Sequence, residues 1–81
     1  MGLIDTIGPY RFYFYEGEAD EPPHVHVSRD RDEAKFWLDP VAVAYNRRFN
    51  EPELRKLTRL VRKHARTFTD AWNNRPGPGS A

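Results

Sequence analysis

The run PPHVHV at residues 22–27 constrains the fold more than any other part of this sequence. Each proline fixes its own φ angle and lacks an amide hydrogen, so the pair stiffens the approach to the next element. The residues that follow alternate histidine with valine, and side chains alternate between the two faces of a β-strand. The sequence therefore predicts a strand with His24 and His26 on one face and Val25 and Val27 on the other.

The length of 81 residues leaves room for one domain with a small core. Aromatic residues make up 14% of the chain, so a few large side chains are expected to fill that core. The absence of cysteine excludes disulfides and thiolate zinc sites and fits a reducing compartment. No apolar run approaches the roughly 20 residues that a membrane-spanning helix needs, and no signal peptide is recognisable.

The residue pattern predicts several strands followed by one helix. Residues 1–9 are interpreted as a leader without regular structure, whereas the aromatic run that follows strongly favours a strand. Strands are predicted over residues 10–15, 24–28 and 33–38, with a short fourth strand at residues 41–45. We expect a single domain over residues 1–75 and a disordered Pro/Gly tail at residues 76–81.

A long helix is predicted to begin after Asn50. The side chain of Asn50 can cap the helix, Pro52 suits its first turn, and Glu53 completes a capping-box pattern. Apolar residues then recur at steps of three and four up to residue 72. They are Leu54, Leu57, Leu60, Val61, Ala65, Phe68, Ala71 and Trp72. His64 falls near the middle of this face, where a histidine is more often a core residue with a hydrogen-bond partner than a site residue.

These elements predict an α+β fold, with a three- to four-stranded antiparallel sheet packed against one long C-terminal helix. If the helix covers the valine face of the sheet, the opposite face is open. That open face would carry Arg11, Tyr13, Tyr15, His24, His26, Lys35 and Trp37. Exposed aromatic patches of this kind usually bind a partner or stack bases. If the sheet is turned the other way, the three histidines of the chain converge.

His24 and His26 have three open interpretations. Histidine transfers protons near neutral pH, so the pair could be catalytic and cleave RNA. The two rings could instead share a metal ion, with Asp20 or Glu21 as an oxygen ligand. The simplest interpretation is that both histidines hydrogen-bond to neighbours or to a partner. No cofactor is predicted from the sequence.

The C-terminal third of the chain is basic, although the net charge of the whole is only +1. Residues 1–49 hold six Lys/Arg against nine Asp/Glu, a net charge of −3, and residues 50–81 hold seven against three, a net charge of +4. Four arginines lie on the helix side opposite the apolar face, namely Arg55, Arg59, Arg62 and Arg66. This arginine stripe is first of all a solvated surface, but its side chains also suit phosphates and carboxylates of nucleic acids or acidic proteins.

Three features together resemble one known family. They are the run from residue 12 to residue 27 that ends in PPHVHV, the Ala34-Lys35 pair, and a helix with His64 followed by Trp72. Over residues 8–75 they resemble the DUF4160 family, which consists of small bacterial proteins of unknown function. The resemblance implies a cytoplasmic bacterial protein, often encoded beside a DUF2442 protein in an arrangement like a toxin–antitoxin pair.

The sequence departs from that family in its acidic segment Glu16–Glu21, which lacks a histidine found in many members, and in a turn without glycine.

The resemblance and the predicted open sheet face lead us to expect a protein–protein interaction module that resembles a toxin–antitoxin component. Its partner would be a small DUF2442-like protein or a second copy of the chain, with nucleic acid as a further candidate and no membrane contact. The alternatives are a ribonuclease-like enzyme that uses His24 and His26, or a histidine-based metal-binding protein.

Overall fold

The computed structural model describes residues 2–15 and 17–74, in which five strands precede one helix. The strands are β1 (Gly2–Ile7), β2 (Tyr10–Phe14), β3 (His24–Arg29), β4 (Asp32–Leu38) and β5 (Val41–Arg47), and the helix is α1 (Glu51–Asn74). The strands form one antiparallel sheet in the order β1-β2-β3-β4-β5. The predicted α+β class is confirmed, with one strand more than expected. No helix in the described ranges combines the length and apolarity that crossing a membrane requires.

The interpretation of residues 1–9 as a leader without regular structure is wrong. Residues 2–7 form β1 and pair with β2, from Gly2 opposite Phe14 to Ile7 opposite Tyr10. Gly8, with a φ of 58°, makes the turn between the two strands. The segment contains the β-branched residues Ile4, Thr6 and Ile7, which favour strands, and pairing with the aromatic β2 satisfies its backbone on one side. The predicted tail at residues 76–81 lies outside the described residues.

The helix covers the valine face of the sheet, which is one of the two arrangements that the sequence left open. The sheet contributes five fully buried side chains to this core, Phe12, Val25, Val27, Ala34 and Phe36, and the helix contributes Leu57, Val61 and Phe68. The rings of Phe12 and Phe68 stack with their centroids 4.9 Å apart. Because the histidines alternate with these valines, His24 and His26 lie on the sheet face that the helix does not cover.

The start of α1 follows its sequence pattern only in part. The backbone amide of Glu53 donates a 2.9 Å hydrogen bond to the side-chain oxygen of Asn50, which confirms the predicted cap. The carboxylate of Glu53 does not complete a capping box. It accepts a hydrogen bond from the Tyr10 hydroxyl at 2.7 Å and pairs with the Arg29 guanidinium at 2.6 Å, and so ties the helix to β2 and β3.

The face assignment predicts a large stability loss for Phe36→Ala. The fully buried ring packs between the sheet and α1, so its removal leaves a cavity and should lower the free energy of unfolding by about 3–5 kcal/mol. Urea unfolding followed by circular dichroism measures this loss. Leu3→Ala is the control, because Leu3 is 56% exposed and its truncation should change stability by no more than about 0.5 kcal/mol. Equal effects of the two substitutions would contradict the assignment.

Candidate metal centre

Two histidines of β3 and one glutamate of the β2–β3 loop meet on the sheet face away from the helix. The strand pattern puts His24 and His26 side by side, and the loop folds back over them. Oxygen Oε1 of Glu18 lies 3.0 Å from Nε2 of His24 and 2.7 Å from Nε2 of His26. Both imidazole rings therefore present the same nitrogen to one carboxylate oxygen.

The loop covers the sheet face that the sequence suggested would be open. The exposed fractions are 0% for His24, 1% for His26, 5% for Tyr13 and 8% for Lys35. The expectation of an open aromatic and basic face is therefore wrong for these four residues. The reason is electrostatic: the acidic loop carries carboxylates, and the sheet face beneath it offers an ammonium group and two imidazoles.

The remaining residues of the predicted surface lie at its margins. Arg11 and Tyr15 are exposed, and Trp37 is half-buried. They do not form one continuous exposed patch with the buried histidines.

Lys35 fixes the loop over the histidines. Its ammonium group pairs with the carboxylate of Glu21 and lies 3.6 Å from Oε2 of Glu18. It also sits 4.7 Å from the centre of the Trp37 ring, a cation–π distance. Lys35 thus holds the second oxygen of Glu18, which leaves Oε1 facing the two histidines.

The tautomer of His24 follows from its backbone neighbour. Nitrogen Nδ1 lies 3.0 Å from the carbonyl oxygen of Pro22. A carbonyl oxygen can only accept, so Nδ1 carries the proton and donates it. In the neutral ring, Nε2 then has a free lone pair. That lone pair is directed at Glu18.

A cluster of tyrosine hydroxyls around Glu33 sets the environment of His26. The hydroxyls of Tyr13, Tyr15 and Tyr45 all donate to its carboxylate, with oxygen–oxygen distances of 2.7 Å for Tyr15 and 3.2 Å for Tyr45. Burial alone would raise the pKa of Glu33, but these three hydrogen bonds lower it. Burial and the charge of Glu33 raise the pKa of Tyr45 to about 12. Glu33 is therefore ionised, and Tyr45 keeps its proton and donates it to Glu33.

Tyr45 in turn determines the tautomer of His26. Its hydroxyl oxygen lies 3.3 Å from Nδ1 of His26. Because the single hydroxyl proton of Tyr45 goes to Glu33, the oxygen accepts a hydrogen bond from Nδ1. The neutral ring of His26 then turns an unprotonated Nε2 toward Glu18, whereas the protonated ring donates a hydrogen bond from Nε2 to that carboxylate.

When both rings are neutral, three electron-pair donors face each other. Burial alone would raise the pKa of Glu18, but hydrogen bonds and positive charge from the protonated rings of His26 and His24 outweigh that effect and lower it to about 2. Burial lowers the pKa of His26, although Glu18 opposes this shift. Near neutral pH, Glu18 is therefore a carboxylate and His26 a neutral imidazole. One ligand atom from each of Glu18, His24 and His26 lies within 4.8 Å of the others.

The sequence identified two of these three groups. Glu18 was missed, since the sequence suggested Asp20 or Glu21 as the oxygen donor and no periodicity distinguishes acidic residues within a loop. Tyr45 was also missed, because it lies in β5 and contacts His26 of β3 across the intervening β4. Only the β4–β5 register, which sets Lys35 opposite Tyr45, brings it to the site.

The ring of Trp72 packs beside the ring of His24. Its ring centroid lies 4.6 Å from that of His24 and 5.3 Å from that of Phe14, so the last turns of α1 reach the edge of the site. The sequence predicted Trp72 as a core residue, and it is indeed buried.

His64 does not join the other two histidines. It is half-buried on α1, where its ring lies 6.0 Å from that of Phe68. The possible convergence of three histidines is therefore wrong, because the helix packs on the valine face.

The structure predicts that Glu18 stabilises the metal-free protein against acid. Its pKa is about 2 in the folded protein against an ordinary value of 4.5, so its contribution is complete above pH 4.5 and is lost as the pH falls toward 2. In chelator, Glu18→Gln should therefore show a smaller fall in the free energy of unfolding over this range than wild type. The control is Asp20→Asn, which changes an exposed carboxylate of the same loop. Identical pH profiles for Glu18→Gln and wild type would contradict the prediction.

One protein family accounts for most of the chain. Its model, described as a domain of unknown function (DUF4160), matches residues 10–73. The chain therefore belongs to the DUF4160 family, as the PPHVHV run and the helix pattern indicate. The matched span includes Glu18, His24 and His26. Searches of curated proteins and of solved structures found no match.

Proposed function

We propose that this DUF4160 protein binds a divalent transition-metal ion, with zinc as the best-fitting example, through Glu18, His24 and His26. The observation that carries the proposal is the convergence of two Nε2 atoms on Oε1 of one carboxylate, with both Nδ1 atoms engaged elsewhere. Two histidines and one glutamate are an established zinc ligand set that leaves a fourth position open.

Hydrogen bonding alone accounts poorly for this geometry. With Nδ1 protonated on both neutral rings, no proton lies between either Nε2 and Glu18. Adding one proton satisfies one of the two contacts, at 3.0 Å or 2.7 Å, and only protonation of both rings satisfies both. Burial of His26 disfavours its protonated form. A cation bound to all three atoms removes both repulsions at once.

The ligand chemistry favours a transition metal over magnesium or calcium. Imidazole nitrogen suits zinc and its neighbours in the periodic table, whereas magnesium and calcium prefer an all-oxygen set. The outer contacts support the same conclusion, since metal-bound histidines commonly donate their second ring N–H to a carbonyl or another oxygen. Here Pro22 and Tyr45 supply those two oxygens.

A metal ion at this position would join the β2–β3 loop to the sheet. Glu18 comes from the loop and the two histidines come from β3, so the ion bridges elements that Lys35 otherwise holds together through ion pairs. Its binding to the folded state alone would stabilise the domain.

The other functions suggested by the sequence stay predictions. They are an interaction module in a toxin–antitoxin-like pair and a ribonuclease-like enzyme that uses His24 and His26. Both histidines are buried in this structure, so a ribonuclease-like role for them requires that the loop opens. An interaction module can use exposed residues such as Tyr15 and Arg11.

Zinc should raise the melting temperature of protein first stripped with chelator, whereas magnesium should not. The expected gain is about 2.7 kcal/mol when free zinc is 100 times its dissociation constant. Calorimetric titration should give one zinc per chain for wild type and none for His26→Gln. His64→Gln is the matched control, because His64 lies outside the site. Unaltered melting with zinc, or binding by His26→Gln equal to that of wild type, would refute the proposal.

Tyr45→Phe should weaken zinc binding without abolishing it. The substitution removes the oxygen that accepts the hydrogen bond from His26, and loss of such an outer contact typically lowers metal affinity by about 10–100-fold. Competition with a chromophoric chelator measures the affinity. Tyr10→Phe removes a tyrosine hydroxyl that bonds Glu53 far from the site and should leave affinity unchanged. The same affinity for both variants would show that Tyr45 does not orient His26.

A further inference from the structure

We propose that the outer face of α1 binds the phosphate backbone of double-stranded DNA. The contact residues are the arginine stripe, Arg55, Arg59, Arg62 and Arg66, and the adjacent Lys56 and Lys63. This proposal is independent of metal binding, since none of these six exposed side chains belongs to the metal centre or to its contacts.

The outer face of α1 carries positive charge with little compensation. All six cationic side chains are exposed, and the sequence from residue 54 to residue 69 contains no Asp or Glu, although the exposed Asp70 follows one turn after Arg66. Arg55 has an acidic neighbour one turn earlier, with 3.6 Å between its guanidinium and the carboxylate of Glu51. Both of these side chains are largely exposed, at 64% and 89%, so water and salt screen the pair.

The spacing of the cations opposes helix stability. Arg55 and Arg59, Arg59 and Lys63, and Arg62 and Arg66 are each four residues apart. Like charges at this spacing repel one another and destabilise a helix. A bound polyanion relieves all three repulsions, so the folded helix is more favourable with the ligand than without it.

The geometry of the stripe suits a row of phosphates. Arg55 and Arg66 are 11 residues apart, which corresponds to about 16 Å along the helix axis. Guanidinium groups bind phosphate oxygens through two parallel hydrogen bonds. The four arginines can therefore follow a nucleic-acid strand over several nucleotides.

The surroundings of the stripe favour a DNA duplex over single strands and over duplex RNA. Binding of single strands relies on aromatic stacking platforms, whereas the aromatic residues of α1, Phe68 and Trp72, are buried against the sheet. The major groove of B-form DNA is wide enough for an α-helix, but the corresponding groove of A-form RNA is narrow and deep.

The charge distribution also orients the contact. Residues 1–49 hold six Lys/Arg against nine Asp/Glu, whereas residues 50–81 hold seven against three. Glu18 and Glu21 lie over the sheet face opposite α1, where they repel a polyanion. Such a dipolar molecule approaches DNA with the helix face first.

Fluorescence anisotropy with a short labelled DNA duplex at several salt concentrations tests the proposal. Wild type should bind with a salt slope of about 0.9 per phosphate contact, and Arg59→Gln/Arg62→Gln should lower that slope by about two. The matched control is Arg11→Gln/Arg31→Gln, which removes two exposed arginines away from α1 and should leave the slope unchanged. Because the helix variant loses like-charge repulsion, its melting temperature should not fall.

Three outcomes would overturn the proposal. They are no binding by wild type at low salt, equal salt slopes for the helix variant and the control variant, and equal displacement of the duplex by duplex RNA or polyglutamate. Binding that prefers the DNA duplex and is weakened only by the helix substitutions would support it.

Discussion

Strand β3 is buried on both faces, and the other layers of the protein are arranged around it. Its valines pack against α1, while His24 and His26 lie under the β2–β3 loop. This arrangement depends on the two-residue period of a strand, since a shift of one residue would place the imidazoles in the apolar core. The neighbouring strands repeat the division, with Phe12 and Phe36 toward the helix and Tyr13 and Lys35 toward the loop.

The polar layer under the loop is maintained by complete pairing. A buried polar group without a partner destabilises a protein, and the part of the chain that the structure describes contains no buried side-chain nitrogen or oxygen without a hydrogen bond. Lys35 pairs with the carboxylates of Glu18 and Glu21, and the carboxylate of Glu33 accepts hydrogen bonds from three tyrosine hydroxyls. The result is a rigid set of second contacts around two histidines, which is the environment that a metal ligand set requires.

The two proposed activities use opposite faces of the sheet. The metal centre needs an acidic loop and neutral imidazoles, whereas the outer face of α1 concentrates arginine and lysine. Separation by the sheet and the apolar core lets both charge patterns exist in one small domain without neutralising each other. Either proposal can therefore fail without the other.

The sequence by itself determined the alternation in β3 and the α1 cap at Asn50, because these depend on local periodicity and on hydrogen bonds between near neighbours. Only the tertiary structure decided three other features. Strand β1 forms by pairing with β2. The loop folds back so that Glu18, rather than Asp20 or Glu21, contacts Nε2 of both histidines. Tyr45 of β5 contacts His26 of β3 across the intervening β4. Each of these contacts joins residues whose relative positions depend on loop path and strand register, which no local pattern in the sequence specifies.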